Sequence, residues 1–294
     1  MPYRAAVTIA LLALLLAAPA AAQDEPVAQL VPEVIAVFPH DPNAFTQGLL
    51  LHDGLFYEST GRYGLSSLRQ VEPATGAVLY QVNLPANYFG EGLALVGDRL
   101  VQLSWQNGVA FVYDLEAVVQ NAVQFAAFFL YEGEGWGLCY DGETVYRSDG
   151  SAALFLHDPE TFEVTGQVQV TLDGEPVAKL NELECVGDSI YANVWLTDDI
   201  VRIDKASGRV TARINAAGLL TSEETAALGE GQRGQVINNL VFSSQNRVFI
   251  NIAERLGSGG TLNGIAYNPE SDTFYLTGKL WPKVFEVRFV PAQN

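Results

Sequence analysis

The sequence predicts an all-β protein, and within that class a five-bladed β-propeller. Three observations favour this fold: a short signature recurs along the chain, the copies are followed by apolar runs and turn residues, and the composition suits strands and tight turns. Aromatic residues form 11% of the 294-residue chain, which also has 27 glycines and one methionine. Aromatic side chains are enriched in strands, and glycine is enriched in turns.

The recurring signature has a period of about 45 residues, because its first four copies lie 44, 45 and 46 residues apart. A fifth copy follows after a longer gap. The copies are Gln47-Gly48-Leu49, Glu91-Gly92-Leu93, Trp136-Gly137-Leu138, Glu182-Leu183-Glu184 and Asn263-Gly264-Ile265. Turns and further strand-like runs come after each copy, and four strands per repeat at this period are typical of a propeller blade. An open sandwich with coincidental spacing is the alternative.

The two ends of the chain are predicted to close the ring. The last repeat, residues 265–289, reaches only about three strands, and the strand-like run at residues 33–37 precedes the first repeat. We expect this run to complete the last blade, because joining the chain ends removes exposed sheet edges. Residues 23–294 then form one domain, with an insertion at about residues 229–260 between the fourth and fifth blades. Two apolar runs in the insertion predict a β-hairpin, either leaning over the channel mouth or lying as an extra outer strand.

Residues 1–22 have the pattern of a secretory signal peptide. Arg4 is followed by an apolar stretch at residues 5–18 and then by Pro19-Ala20-Ala21-Ala22. A cationic start, an apolar middle and small residues at the cleavage site are typical of such a signal. An uncleaved anchor is the alternative, although the apolar run is short for spanning a bilayer. We expect an exported protein, periplasmic or secreted, without stable membrane association after cleavage.

Charge and histidine content exclude several function classes. Asp and Glu number 34 against 16 Lys and Arg, and the net charge is −18. A chain this acidic, without a basic stripe, is a poor binder of nucleic acid. The three histidines, His40, His52 and His157, are far apart in sequence, so no metal-ligand spacing is visible and a metal-dependent lactonase-like propeller is disfavoured. Cys139 and Cys185 are free to form a disulfide in an oxidising compartment or to remain buried thiols, and the sequence leaves this open.

Propeller topology predicts where a site would form. The first strand of each blade begins, and the second strand ends, at the same mouth of the channel. The residues at the predicted first-strand starts are Phe45, Gln47, Glu91, Trp136, Asn181, Glu182 and Asn263. Those at the second-strand ends are Glu58, Trp105, Asp149, Trp195 and Lys279. Three of the four tryptophans therefore converge on one mouth, and a concave, aromatic-walled pocket with few polar groups is the usual form of a small-ligand site.

Several of these motifs resemble those of the plant-type glutaminyl-peptide cyclotransferases. The resemblance covers roughly residues 33–289, in order, and its main motifs are Phe45-Thr46-Gln47-Gly48-Leu49, Tyr88-Phe89-Gly90-Glu91-Gly92-Leu93, Gly135-Trp136-Gly137-Leu138, Leu180-Asn181-Glu182, Asn193-Val194-Trp195 and Thr277-Gly278-Lys279. It implies a five-bladed propeller that converts the N-terminal glutamine of peptides or proteins to pyroglutamate with release of ammonia. It also implies an acyltransferase that works without zinc or another cofactor, and we expect a monomer.

The resemblance also implies roles for individual residues. Glu91 matches the carboxylate that acts as general acid and base, and its aromatic surroundings should disfavour the charged form. Lys279 matches a lysine beside the site, where a cation would stabilise negative charge on the carbonyl oxygen. The residues that match substrate-binding amides and aromatic walls are Phe45, Gln47, Trp105, Trp136, Asn181 and Trp195. A non-catalytic periplasmic propeller that binds a peptide or small ligand is the alternative, and release of ammonia from a glutaminyl peptide distinguishes the two.

Overall fold

The structure, a computed structural model, describes residues 26–120, 125, 127–228 and 260–293. The predicted signal peptide at residues 1–22 and nearly all of the predicted insertion at residues 229–260, with its hairpin, lie outside these residues. In the part of the chain that is described, no helix has both the length and the apolar character needed to cross a membrane.

The fold is all-β, and consecutive strands form antiparallel sheets. The first described strand is β1 (Ala28–Pro39). The first sheet consists of β2 (Thr46–His52), β3 (Leu55–Thr60), β4 (Ser67–Glu72) and β5 (Ala77–Asn83), and the second of β6 (Gly90–Val96), β7 (Arg99–Ser104), β8 (Val109–Asp114) and β9 (Ala127–Leu130). The third sheet consists of β10 (Leu138–Tyr140), β11 (Val145–Ser148), β12 (Ala153–His157) and β13 (Val164–Gln169). A short helix, α1 (Leu115–Val119), lies between β8 and β9. A ribbon and the remaining strands follow, namely β14 (Thr171–Leu172), β15 (Glu175–Pro176), β16 (Leu180–Val186), β17 (Ser189–Val194), β18 (Asp199–Asp204), β19 (Val210–Asn215), β20 (Leu262–Asn268), β21 (Thr273–Gly278) and β22 (Lys283–Pro291).

The N-terminal strand β1 pairs with the last strand of the chain, as the sequence predicts. It runs antiparallel to β22, with Val31 opposite Val290 and Phe38 opposite Val284. Its first residues also pair in parallel with β19, where Ala28 lies opposite Ala212. Strand β1 therefore joins the last two groups of strands into one eight-stranded sheet, in the order β16-β17-β18-β19-β1-β22-β21-β20.

Burial distinguishes the two edges of each sheet. The first strands, such as β2 and β6, are buried over most of their length, whereas the fourth strands β5 and β13 are largely exposed. Strands buried on both faces lie inside a protein, and alternating exposure marks a solvent-facing strand. The first strand of each group is therefore the inner one, and the ends of the inner strands are shielded from bulk water.

Apolar cores lie between consecutive sheets. Leu50 and Tyr57 of the first sheet pack in one cluster with Leu93 and Leu100 of the second. Similar clusters join the second sheet to the third, the third to β16–β19, and β16–β19 to β20–β22. A further cluster packs Leu49 and Phe56 of the first sheet against Ala266 and Val284 of the last strands. Each group of strands thus shares a core with the next, and the last group shares one with the first.

The glycine of the recurring signature is explained by the close approach of the inner strands. A Cβ atom on Gly48 of β2 would lie 2.6 Å from the backbone nitrogen of Leu93 on β6. Real Cβ atoms do not approach this closely, so any larger residue would push the two inner strands apart. The repeat seen in the sequence therefore records a packing requirement of the inner strands.

A disulfide and two carboxylates tie the inner strands together. Cys139 of β10 is bonded to Cys185 of β16, which answers the question the sequence left open. The carboxylate of Glu182 accepts hydrogen bonds from the backbone nitrogens of Leu49 (3.4 Å) and Ile265 (2.8 Å). The neighbouring Glu184 accepts one from Tyr267, at 2.9 Å. Burial raises the pKa of Glu184 to about 8, and burial together with the charge of Glu184 raises the pKa of Glu182 well above its usual range.

Candidate active site

The predicted site residues come together at one end of the sheets. Glu91 lies in the first residues of β6, and Trp136 is next to it, because the backbone nitrogen of Gly92 donates to the carbonyl oxygen of Trp136 at 2.7 Å. The residues that directly follow second strands are Trp105, Asp149, Trp195 and Lys279, after β7, β11, β17 and β21. This placement agrees with the topological prediction, since strand starts and strand ends supply the side chains.

Glu91 is a buried carboxylate that has one hydrogen-bond donor among the described residues. Its side chain accepts from Nε2 of Gln47 at 3.0 Å, and its residue is 5% exposed. Burial raises its pKa well above the ordinary value, and the nearby carboxylate of Glu134 raises it further. The positive charge of Lys279 opposes this shift. A carboxyl group in such a setting exchanges a proton closer to neutral pH than a surface carboxyl does.

Gln47 is held in turn by Asn263, the residue at the start of the signature on β20. The Nδ2 atom of Asn263 donates to Oε1 of Gln47 at 3.1 Å and to the carbonyl oxygen of Thr46 at 3.0 Å. All three residues are buried. The amide of Gln47 therefore lies between Glu91 and Asn263.

Lys279 is a buried cation beside an aromatic ring. Its Nζ lies 5.1 Å from the centroid of Phe45, which is within the range of a cation–π contact. Burial lowers the pKa of Lys279 to about 8, against the opposing charge of Glu91. The lysine is therefore mainly charged at neutral pH and loses its proton at mildly alkaline pH.

The aromatic residues contact one another around the site. Trp136 and Trp195 meet edge to face with centroids 5.3 Å apart, and Phe89 contacts both Phe45 (6.1 Å) and Trp105 (5.8 Å). The three tryptophans are half-buried, whereas Phe45 and Phe89 are buried. The tryptophans are therefore the more accessible of these rings.

Glu134 is a residue that the sequence analysis missed. Its Oε2 accepts hydrogen bonds from the indole nitrogens of both Trp105 (2.8 Å) and Trp136 (2.9 Å), and its Oε1 accepts from Gln106. One carboxylate therefore fixes two of the predicted walls. The residue lies in Gly133-Glu134-Gly135, and its place just before a signature copy was the available signal.

The loop that carries Glu134 is held by a buried arginine. Arg147 donates from Nη1 to the carbonyl oxygen of Glu134 and from Nη2 to that of Glu132 at 3.3 Å. Its guanidinium lies 4.9 Å from the ring centroid of Tyr131, and its Nε donates to Nε2 of His157 at 3.1 Å. Burial lowers the pKa of His157 to about 4, so this histidine is neutral at neutral pH and accepts that bond.

Asn181 presents a buried acceptor. It is 2% exposed, and its Oδ1 has no hydrogen-bond partner among the described residues. Its backbone carbonyl accepts from the hydroxyl of Ser148 at 2.6 Å, which fixes the strand start. Buried polar atoms are nearly always hydrogen-bonded, so an orphaned acceptor at this position suits a ligand or a water molecule.

Glu58 makes its polar contacts with a different set of residues, although it lies near the end of β3. Its Oε1 accepts from Oγ1 of Thr46 at 2.6 Å and contacts Nε2 of His40 at 3.0 Å, and Nη1 of Arg69 lies 3.9 Å from Oε2. These partners outweigh burial and lower the pKa of Glu58, while Glu58 raises the pKa of His40 despite its burial. Glu58 therefore belongs to a buried ion pair outside the site.

Metal ligation is not indicated by the described residues, since no group of three or more His, Cys, Asp and Glu side chains among them is arranged to hold a metal ion. The titratable groups at the site are a carboxyl whose pKa burial raises, a lysine whose pKa burial lowers and a second carboxylate engaged by indoles. This set suits proton transfer and stabilisation of a developing negative charge.

Comparison with known proteins gives consistent matches. A family model described as glutamine cyclotransferase matches residues 6–252 and 250–289. A glutaminyl-peptide cyclotransferase of Arabidopsis thaliana is 39% identical over 262 residues, which cover 88% of this chain and 72% of that protein. The crystal structure of Myxococcus xanthus glutaminyl cyclase is 39% identical, with a TM-score of 0.70, and the match covers 92% of this chain and 100% of that one.

Proposed function

The chain belongs to the glutamine cyclotransferase family and has glutaminyl-peptide cyclotransferase activity, and we propose that Glu91 carries the proton in its reaction. One observation supports this proposal above the others: the buried carboxylate of Glu91, whose pKa burial raises, lies beside a lysine and the aromatic residues. The substrates are peptides or proteins that begin with glutamine.

The chemistry requires one proton to change places. The α-amine nitrogen of the substrate attacks the carbon of its own γ-carboxamide, a new N–C bond closes the ring, and the bond to the amide nitrogen breaks to release ammonia. One proton leaves the attacking nitrogen, and one must reach the leaving nitrogen. The carboxylate of Glu91 accepts the first and, as the carboxylic acid, donates it to the second. Its raised pKa makes the protonated form, which donates to the leaving nitrogen, more accessible than it is for a surface carboxyl.

Lys279 is proposed to stabilise the oxygen of the reacting carboxamide. Negative charge develops on this oxygen as the ring closes, and a buried cation stabilises such charge more strongly than a solvated one does. With a pKa of about 8, Lys279 is charged at neutral pH. The alternative is that it only balances the charge of Glu91.

The amides and aromatic walls are proposed to hold the glutamine in a folded conformation. Asn181 offers its orphaned Oδ1 to an N–H group of the substrate, and Gln47 keeps a second amide hydrogen beyond its bond to Glu91. The walls, which exclude water and restrict rotamers of the substrate, are Phe45, Trp105, Trp136 and Trp195. Selecting the reactive rotamer accounts for much of the rate, because the reaction is intramolecular.

We also propose that the strands form the five blades of a closed propeller, with β1 as the outer strand of the last blade. The shared cores between consecutive sheets, and between the last and first groups, support this arrangement. Residues 23–294 are the proposed domain, and residues 1–22 the proposed signal for export to the periplasm or the medium. Cleavage after Ala22 would leave Gln23 first. Mass spectrometry of the N-terminal peptide tests this, and a mass lower by one ammonia would reveal cyclisation of that glutamine.

Ammonia release in a coupled assay tests the proposed function. The purified chain should release ammonia from a glutaminyl dipeptide and none from the same peptide with an acetylated α-amine, because the blocked nitrogen cannot attack. Activity should persist in a chelator, as the family resemblance implies. Tight binding of the peptide without ammonia release would instead support a non-catalytic binding protein.

A further inference from the structure

We propose that Asn263 is a positioning residue that fixes the direction of the Gln47 amide and, through it, presents a hydrogen-bond donor to Glu91. The inference rests on the proposed role of Glu91. It concerns the chain of hydrogen bonds from the carbonyl oxygen of Thr46, through Asn263 and Gln47, to the carboxylate. Asn263 itself does not touch Glu91 through any hydrogen bond among the described residues; it acts through Gln47.

The direction of the chain is set at its first bond. A backbone carbonyl oxygen only accepts hydrogen bonds, so the atom of Asn263 that lies 3.0 Å from the oxygen of Thr46 must be the amide nitrogen. That nitrogen has two hydrogens, and the second points to Gln47 at 3.1 Å. The side chain of Asn263 therefore cannot be turned over without placing two oxygens against each other.

The same logic then fixes Gln47. Because Asn263 donates, the atom of Gln47 that faces it is the oxygen, and the nitrogen of Gln47 must face Glu91 at 3.0 Å. A donor to a carboxylate stabilises the charged form. If the Gln47 amide were reversed, its oxygen would face Glu91 and would favour the protonated acid. The orientation of one amide thus decides which form of the proton carrier is stabilised.

The fold holds Asn263 in place through its neighbour Gly264. The backbone nitrogen of Gly264 donates to Oδ1 of Asn193 at 3.1 Å, and its φ is 121°, a conformation that favours glycine. A Cβ atom there would lie 3.0 Å from Cγ2 of Thr277 and 3.2 Å from Cγ2 of Thr46. Glycine therefore allows β20 to come close enough to β2 for Asn263 to reach Thr46 and Gln47.

Burial makes the arrangement specific. Asn263 and Thr46 are fully buried and Gln47 is 3% exposed, so bulk water is not available to replace a lost bond. The titratable groups that interact electrostatically with Glu91 are Lys279, Glu134, Tyr63 and Tyr131. None of them is bonded to Asn263 among the described residues, so a change at Asn263 reaches Glu91 through the amide of Gln47.

The test is the pH dependence of kcat in the full-length mature protein carrying Asn263→Leu. This substitution keeps the approximate size and removes the donor without adding a charge, so the Gln47 amide is no longer held with its nitrogen towards Glu91. We expect the acidic limb of the kcat profile to move up by about one pH unit, the scale of one hydrogen bond to a charged group. On the acidic side of that limb kcat should fall about tenfold. Asn263→Ala, which removes the same donor, should move the limb in the same direction.

A double variant separates positioning from other effects. In a Gln47→Leu background, Asn263→Leu should no longer move the limb, because the link to Glu91 is gone. An unmoved limb in both Asn263 variants, or an equal shift in the Gln47→Leu background, would overturn the proposal. Failure of the proposed function would look different: the parent protein would release no ammonia at any pH.

Discussion

Glu58 and Glu91 are both buried carboxylates near the same end of the sheets, and two neighbouring residues of β2 donate hydrogen bonds to them. Thr46 donates its hydroxyl to Glu58, and Gln47 donates its amide to Glu91, because successive side chains of a strand point to opposite sides. Glu58 also has His40 at 3.0 Å and Arg69 at 3.9 Å. Its pKa is lowered, whereas that of Glu91 is raised well above its ordinary value.

The difference between them shows that burial alone does not decide the charge of a carboxyl group. Both side chains lose water, but Glu58 gains a hydroxyl donor, a histidine and an arginine that stabilise its anion. Glu91 has one amide donor and the field of Lys279, while the carboxylate of Glu134 acts against its charge. The first setting stabilises the charged carboxylate, and the second favours uptake of a proton by the carboxylate.

The largest expected effect is on turnover when Glu91 is changed. Glu91→Gln keeps the shape and removes the proton carrier, so kcat should fall by about 10²-fold or more, the scale of general acid–base catalysis. Glu58→Gln is the matched control, a buried carboxylate changed in the same way, and its kcat should stay close to that of the parent. Ammonia release measures both. Near-parental turnover by Glu91→Gln would contradict the assignment.

The aromatic walls should show a smaller loss of activity. Trp105→Ala, Trp136→Ala and Trp195→Ala should each reduce kcat/KM by roughly tenfold or more, because the substrate is held less well. Trp281 is the control, since it is buried and donates to the carbonyl oxygen of Gly260 at 2.8 Å. Trp281→Ala should mainly lower the melting temperature and should have little effect on the activity of the folded protein. The idea fails if Trp281→Ala alone reduces activity without lowering the melting temperature.

Glu58→Gln should lower stability by about 1–3 kcal/mol, because His40 loses its charged partner. The pKa of Glu58 is lowered, so its stabilisation is present above its ordinary value of 4.5 and is lost as the pH falls through the folded-state pKa. The pKa of His40 is raised, so its stabilisation is complete below 6.5 and is lost as the pH rises through the folded-state pKa. Thermal unfolding of parent and variant should therefore differ most between pH 4.5 and 6.5. A difference that does not vary with pH would argue against the ion pair.

The smallest expected effect is a gain in stability at Glu184. Burial raises its pKa to about 8, so the carboxyl is neutral at low pH and its burial does not destabilise the fold there. The free energy of unfolding then falls as the pH rises from about 4.5 to 8. Glu184→Gln keeps an oxygen for Tyr267 and removes the charge. The melting temperature should rise by roughly 3 °C or more above pH 8 and change little at pH 5. Equal changes in melting temperature at both pH values would show that burial does not destabilise the charged form of Glu184.

The sequence predicted the positions of several candidate residues because regular strands carry them. The repeat and the turn residues place Trp105, Trp195 and Lys279 directly after second strands, and the pairing of the first strand with the last follows from an incomplete final repeat. Glu134 escaped prediction because its role depends on a loop that is shaped by Arg147 and by two indoles. These residues meet in the folded chain at positions that do not follow the repeat, so the repeat does not predict their contacts.

The contrast between Glu58 and Glu91 also could not be read from the sequence. His40 precedes the first sheet, and its Nδ1 is held by the carbonyl oxygen of Trp281, 241 residues away. The disulfide was undecided for the same reason, since only the folded chain shows that β10 and β16 bring Cys139 and Cys185 together. The spacing of the repeat identifies strand ends, whereas the residues that determine the pKa of a buried carboxyl group come from several different strands.

The most direct test of the account is the titration of Glu91 itself. Carbon-13 NMR of the protein labelled at the glutamate side chains follows each carboxyl with pH, and the signals missing in Glu91→Gln and Glu58→Gln assign the two groups. We expect the Glu91 carboxyl to titrate well above 4.5 and that of Glu58 below it. A Glu91 carboxyl that titrates at or below 4.5 would contradict the claim that its setting makes it the proton carrier.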